Sequence, residues 1–337
     1  MQSIIIDLFQ KPGQYKKVAG FILVALLAAF PYIYFNNYYL HIAILVGIFV
    51  ILSLSLNLIT GFTGQLCLGH AAFYGVGAYV GALLMKNLQM NFFLALIVSF
   101  LVTGLFGLLL GIPTLRLRGD YLAIVTLGFG EIVRLVFINW EEVTNGPMGL
   151  RSIPAPSIMG FVLKERYMFY YLILIMVLLV LFLMNRLINS GFGMAMQTIK
   201  ADEIAAESIG IYPVKYKLIA FILSSGLAGV AGCFYASYVS YISPTTFVYN
   251  TSVTILAMVV LGGLGSLAGS VIGAAVLTLI PEVLRFISDY RMLLFGALMV
   301  LMMIFKPEGF WGVSKRVKNI YKLKAGRRHH ERDIKSQ

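Results

Sequence analysis

The chain has 337 residues, of which 60% are hydrophobic and only 12% charged, and its mean hydropathy is +0.89. A soluble domain of this length needs far more charge to cover its surface, so a water-soluble globular protein is excluded, and lipid is the solvent that accepts so many outward apolar side chains. The net charge of +12 does not indicate nucleic acid, because ten of the 26 basic residues follow Phe305 and most others lie in short loops between apolar runs, the pattern of a topology signal.

Lys11, Lys16 and Lys17 precede an apolar run over 18–35 that is long enough to span a membrane. No small-residue cleavage site follows it, and Pro31-Tyr32-Ile33-Tyr34 reads as an interfacial anchor, so the run is a first spanning helix rather than a signal peptide. Further apolar segments fall at about 40–60, 66–86, 92–112, 121–139, 167–189, 216–241, 251–264, 267–286 and 291–305. The predicted fold is therefore an all-α polytopic membrane protein of about ten helices. The 33 glycines suit close helix packing in lipid. The split of 251–286 into two helices rests on Gly262-Gly263-Leu264-Gly265-Ser266, and an even number of spans puts the lysine-rich N-terminus and the basic tail on one side.

The expected organisation is a cytoplasmic N-terminal segment over 1–17, a transmembrane domain over 18–305 and a basic cytoplasmic tail over 306–337. With this topology 19 of the 26 basic residues are cytoplasmic, among them Arg116, Arg118, Arg186, Lys200, Lys215 and Lys217. Lys86, Arg151, Lys164, Arg166, Arg285 and Arg291 fall outside, and Arg134 lies within a helix. Cys67 and Cys233 sit in apolar surroundings and are read as packing residues, with neither a disulfide nor a metal site.

Two hydrophilic stretches interrupt the pattern on opposite faces. The outer loop at 140–167 carries Glu141, Glu142, Asn145-Gly146-Pro147 and Pro154-Ala155-Pro156, and reads either as a structured docking loop or as a long solvated connection. The inner segment at 190–215 holds a short helix-forming stretch with Glu203, Ala205, Ala206 and Glu207, ended by Gly210 and Pro213. It reads as a coupling helix that offers a low-relief surface to a groove on a partner, or as an amphipathic surface helix.

Charge inside the bilayer is scarce, so its exceptions are informative. Glu131 and Arg134 stand three apart on one face of the fifth span, as a structural ion pair facing the bundle interior or as a pore-lining pair. Gln65 and His70 lie in the glycine-rich stretch 61–81, where a broken helix would expose backbone to a translocated ligand. For His70 a buried imidazole bonded to a neighbouring helix is the competing expectation. The later cluster Gly262, Gly263 and Gly265 suggests two related halves.

The stretches NLITGFTGQLCLGHAAFYGVGAYVGALL, LRLRGDYLAIVTLGFGEIVRL, TNGPMGL, IKADEIAAESIGIYPVKYKLIAFILSSGLAGVAGCFYA, LGGLGSLAGSVIGAA and RMLLFGALMVLMMIFKPEGFWG cover nearly the whole chain. Together they resemble the inner-membrane permeases of branched-chain amino-acid ABC transporters and their relatives for urea and short amides. The resemblance implies a bacterial inner-membrane permease working with a second homologous permease, two cytoplasmic ATP-binding subunits and an extracytoplasmic solute-binding protein. It also implies that 199–213 receives the ATP-binding subunit. Such permeases carry Glu-Ala-Ala, three residues, then Gly; Ala205, Ala206 and Gly210 are in register, but Ile204 occupies the acidic position and Glu203 stands one place earlier.

The sequence contains no G-x-x-x-x-G-K-[S/T] run, so ATP is expected to be used by partner subunits, with no cofactor bound by this chain. A secondary carrier or channel is the alternative from another class, but a proton-coupled carrier needs carboxylates along its path and Glu131 is the one placed well inside a span. No H-E-x-x-H or G-x-S-x-G motif supports an enzyme.

Overall fold

The computed structural model describes residues 27–31, 36–114, 117, 119–158, 161–163, 165–283 and 296. The expected segment at 291–305, the residues Arg116, Arg118, Lys164, Arg285 and Arg291, both termini and most of the run at 18–35 lie outside the described residues.

The described part is an all-α polytopic bundle. Its long helices are α1 (Asn37–Asn57), α2 (His70–Asn87), α3 (Phe92–Thr114), α4 (Asp120–Asn139), α5 (Arg166–Ile188), α8 (Pro213–Val239), α9 (Tyr249–Gly262) and α10 (Leu267–Val283). Two shorter helices, α6 (Gly191–Ala201) and α7 (Glu203–Ser208), join α5 to α8. Eight of the ten expected apolar segments thus meet one of these long helices among the described residues. Six helical stretches among the described residues are long and apolar enough to cross a membrane, and Leu267–Glu282 is a shorter apolar one. Periodicity explains the faces of α3: Leu94, Ile97, Leu101, Leu105 and Leu109 recur every three or four residues and are exposed, whereas Ala95, Ser99, Thr103 and Gly107 are buried.

Helix α8 runs through the middle of the bundle, against α2 and α3. Small residues make that approach possible. A Cβ built on Gly77 of α2 would lie 2.2 Å from the Cα and carbonyl oxygen of Gly229 on α8, so the two backbones touch. Phe73, Phe92, Phe221 and Phe234 are among the largest fully buried side chains of the bundle. Because the obstacle is backbone on both sides, Gly77→Leu cannot be accommodated by a rotamer change. It is expected to leave little monodisperse protein in detergent, measured by size-exclusion chromatography against the wild-type chain.

Two observed boundaries differ from the expected ones. The third expected run, at 66–86, starts as helix only at His70, because the chain over 63–69 is not helical. The expected start of the seventh span moves back to Pro213, which occupies the first helical position, where its missing N–H is not needed.

At one end of the bundle the connection 140–165 is ordered by local structure. A helical turn at Glu141–Thr144 and a 3-10 turn at Gly146–Met148 lead into β1 (Leu150–Arg151), followed by the hairpin of β2 (Ser157–Ile158) and β3 (Phe161–Val162). Strand β1 pairs antiparallel with β4 (Tyr241–Ile242), just after α8, with Leu150 opposite Ile242. This connection is a structured loop rather than a solvated tether. The segment α6–α7 lies at the other end of the 23-residue helix α5.

Candidate functional site

Helix α1 does not end in an ordinary cap. It widens into a π-helical turn over Leu58–Phe62, after which 63–69 runs without helix to His70. The hydroxyl of Ser55 lies 2.8 Å from His70 Nε2. Ser55 stands seven residues before Phe62, so the non-helical stretch climbs back about 10 Å along α1, at 1.5 Å per residue. Such backbone survives at membrane depth only when buried in protein or lining a cavity. Leu68 N–H donates to Thr126 Oγ1 at 3.0 Å and Ala71 N–H to Ser252 Oγ at 2.8 Å.

Two of the residues expected on the pathway belong to this break. Gln65 is buried, with Oε1 3.1 Å from the Thr63 hydroxyl. His70 is fully buried. The Ser55 hydroxyl donates to Leu52 O at 2.8 Å, so His70 Nε2–H donates to Ser55 Oγ. The imidazole is thus bonded to a neighbouring helix as expected, but only through one nitrogen: Nδ1 has no hydrogen-bond partner among the described residues.

A second break separates α9 from α10 at 263–266, where the glycine cluster placed it. The two breaks meet through one side chain. Asn57, at the last position of α1, donates from Nδ2 to Ser266 O at 3.1 Å and accepts from Gly265 N–H at 2.9 Å. Ser53 adds a bond from its hydroxyl to Ser270 O at 3.0 Å.

Glu131 and Arg134 form an ion pair along α4, with Arg134 Nε 2.8 Å from Glu131 Oε2. Neither is buried in the chain: Arg134 is 30% and Glu131 38% exposed. The pair therefore does not sit in the interior of this single chain. Glu131 borders a small pocket with Leu68, Ala71, Leu127, Phe247 and Ser252, next to the first break. The first break reaches this pocket through Leu68 and the start of α2 through Ala71 and Ala72, while Gln65, His70 and Arg134 are not among its lining residues.

The inner segment 190–215 folds as two helices instead of one. Asp202 adopts an extended conformation between α6 and α7, and its carboxylate accepts from Ile204 N–H at 3.0 Å and Ala205 N–H at 3.1 Å. Glu203 turns back to Lys217 at the start of α8, Oε1 to Nζ 2.6 Å, and Lys217 is buried. Ala206 is buried, whereas Ala205 and Glu207 face outward. Gly210 has φ +82°. It closes the segment with its N–H on Glu207 O at 2.9 Å, and Ile211 N–H bonds to Ala206 O at 3.0 Å. Open space lies beside its Cα, so backbone conformation rather than crowding calls for glycine there. Pro213 is buried at the start of α8.

What the Ala/Glu pattern did not reveal is how apolar the outer surface of this segment is. Ile204 is 68%, Ile209 70% and Tyr212 75% exposed, with Val214 exposed beside them. Ile204 and Ile209 lie on α7 and at its exit, Tyr212 caps α8 and Val214 stands in its first turn. A contiguous exposed apolar patch rimmed by polar residues marks an interaction site. The sequence signal was Ile204 itself, an apolar residue at the position where the resemblance leads one to expect an acid.

Lys200, near the end of α6, reaches away from this surface. Its Nζ donates to Gly61 O at 2.6 Å, within the π turn. Partial burial lowers its pKa from the ordinary lysine value.

Comparisons with known proteins agree with this architecture. The family described as the permease component of branched-chain amino acid transport systems matches residues 38–303. The high-affinity branched-chain amino acid transport system permease protein LivM of Escherichia coli strain K12 is 41% identical over 316 residues, covering 87% of this chain and 74% of that protein. A probable LivM of Methanocaldococcus jannaschii is 25% identical over 313 residues, covering 78% of this chain and 90% of the relative. The autoinducer 2 import system permease protein LsrC of Salmonella paratyphi B is 26% identical over 196 residues, 57% of this chain and 54% of the relative. No solved structure matches. The chain belongs to the family of permease components of branched-chain amino acid transport systems.

Proposed function

We propose that this chain forms one half of the pore of an ATP-driven importer that carries branched-chain amino acids across the bacterial inner membrane. The observation that carries the reading is the 41% identity, over 87% of the chain, to a relative named for high-affinity branched-chain amino acid transport. In this reading the pore has ten spans in each half, both termini are cytoplasmic, and 1–17 and 306–337 flank a transmembrane domain at 18–305. The bias of basic residues toward one side supports that orientation.

The segment 190–215 then faces the cytoplasm and works as the coupling element. The exposed cluster of Ile204, Ile209, Tyr212 and Val214 supports docking of an ATP-binding subunit, because apolar side chains at the water-facing end of a bundle are otherwise left unpartnered. Glu203, Ala205, Ala206, Glu207, Gly210 and Pro213 build and shape that element. Nucleotide binding in the partner moves it, and the motion switches the pore between inward and outward access. The connection 140–167 faces outward, toward a solute-binding protein.

The pathway runs along α4 and the first break. A half-exposed carboxylate and guanidinium facing lipid would each cost roughly 2.5–3.5 kcal/mol, so the Glu131–Arg134 face meets water or the second permease instead. An amino acid passes as a zwitterion. A fixed anion beside a fixed cation can meet its ammonium and carboxylate in turn, while Leu68, Leu127 and Phe247 offer apolar contact to its side chain. Gln65 and His70 hold the wall of that passage.

The test is uptake of labelled leucine and of labelled urea in cells lacking the chain, with and without its re-expression and with ATP depleted in parallel. Restored leucine uptake that disappears with ATP is the expected result. Restored urea uptake would change the solute and keep the architecture, and uptake that survives ATP depletion would overturn the importer.

A further inference from the structure

Gly61 lies at the end of the π turn, beyond which the helix stops, so its carbonyl loses the intrahelical N–H that would otherwise bond to it. Lys200 supplies the missing donor at 2.6 Å. The contact does not rest on the ammonium alone. Gly64, in the break itself, has φ +74°, and a Cβ built on it would lie 3.2 Å from Lys200 Cγ and 3.7 Å from Lys200 Cβ. The break is therefore laid against the whole lysine stem, at a position where the left-handed backbone favours glycine. Among the described residues Lys200 pairs with no carboxylate, which leaves the Gly61 carbonyl as its polar anchor.

Lys200 stands two residues before Asp202, whose carboxylate caps α7. A displacement of α7 thus reaches Lys200 through a cap and one helical residue, with no flexible linker between them. At the other end, the π turn is a suitable receiver. Its register is one residue wider than an α-helix and its bonds are readily exchanged, and such turns are frequent at functional sites. Moving Gly61 moves the start of the stretch that carries Gln65 and ends at His70.

We propose that Lys200 is the positioning residue that transmits movement of α7 to the broken helix between α1 and α2. Nucleotide-driven motion would thereby reshape the pore wall. This inference rests on the reading that α7 receives an ATP-binding subunit, and deepens it. A link of this kind must act as a tie: the lysine and the break move together through the cycle.

The experiment uses the whole transporter, with partner permease, ATP-binding subunits and solute-binding protein, reconstituted in liposomes. It measures leucine carried per ATP hydrolysed and, separately, capture of the ATP-binding subunits. Lys200→Met is expected to keep capture and hydrolysis while lowering leucine per ATP at least tenfold, and Lys200→Arg should recover most of the ratio. Gly64→Cys with Lys200→Cys gives a second test, because a separation near 3.7 Å suits a disulfide, and the native Cys67 and Cys233 are buried away from reagent. Reduced, this variant should behave like Gly64→Cys with Lys200→Met, which carries the same strain at φ +74°; oxidised, with a covalent tie in place of the ammonium, it should regain coupling. A normal ratio in Lys200→Met overturns the link alone, as does loss of capture in that variant, which would put Lys200 in the docking surface. Should Lys200→Met fail to insert, the cysteine pair decides, and an oxidised pair that stays uncoupled overturns the link. A wild-type chain that captures no ATP-binding subunit overturns both the link and the reading beneath it.

Discussion

Glu131→Lys will strip the chain of most of its uptake and much of its inserted protein, and Arg134→Glu will do the same, whereas the double exchange Glu131→Arg with Arg134→Glu will insert normally. The size of the loss is the informative quantity. If the pair at 2.8 Å lay on a water-exposed helix face, removing it would cost only about 0.2–0.5 kcal/mol. Beside lipid, each unpaired charge costs roughly 2.5–3.5 kcal/mol, a factor on the order of 100 in the folded population, and a like-charged neighbour adds to it. Protein recovered from membranes and the thermal midpoint in detergent measure this part. Uptake adds a second readout, because the double exchange reverses the order of anion and cation along α4. A zwitterion guided by that order should then be carried with a raised KM for leucine. Absence of rescue in the double variant would mean that the two side chains do not act as a pair.

Ile209→Asp and Tyr212→Asp are expected to weaken capture of the ATP-binding subunit at least tenfold each, in chains that insert and fold as the wild type does. Both side chains are at least 70% exposed, so neither holds the bundle together. An apolar or aromatic residue at the centre of an interface commonly accounts for 2 kcal/mol or more, roughly thirtyfold in affinity. Gly210→Val should give a comparable loss by another route. A β-branched side chain at φ +82° costs about 1–3 kcal/mol although it meets no neighbour, so the turn that presents Ile209 and Tyr212 would relax away. The check is pull-down of the co-expressed ATP-binding subunit from solubilised membranes. Undiminished capture by all three variants would remove the docking surface from this segment.

Much of the bundle is legible in the sequence because lipid makes a simple demand. A span must satisfy its own backbone and present apolar side chains, and both requirements leave long apolar runs. The break at 263–266 is visible for the same reason, since three glycines in four residues cannot continue a helix cheaply. The break at 63–69 is only half visible. Its glycines are apparent, but Leu58–Phe62 reads as ordinary apolar helix, and hydropathy does not show where hydrogen bonding shifts from four residues to five.

The candidate site divides along similar lines. Glu131 and Arg134 are three apart, so helical geometry alone brings them together. Glu203 meets Lys217 fourteen residues on, after a turn and the start of another helix, and no local spacing rule connects them. The departure at Ile204 acquires a physical account from this arrangement. The acidic residue one place earlier is engaged inward, while the isoleucine faces out with Ile209 and Tyr212. In the sequence Lys200 is one more basic residue of a topology signal, since its carbonyl partner lies 139 positions away.

Asn57, at the end of α1 just before the first break, holds the second break 208 positions away through one amide that gives a hydrogen to Ser266 O and takes one from Gly265 N–H. Aspartate would keep the acceptor and lose the donor, and leucine would lose both; glutamine would keep both on a longer arm. A Cβ on Gly61 would lie 1.7 Å from that amide oxygen and 2.5 Å from Gly265 N, so the position beside it tolerates no side chain either. The two loops are therefore not independently variable. An inherited change in one must be answered by a change in the other, and divergence among descendants of this chain should proceed at Asn57, Gly61 and 263–266 by paired exchanges or not at all.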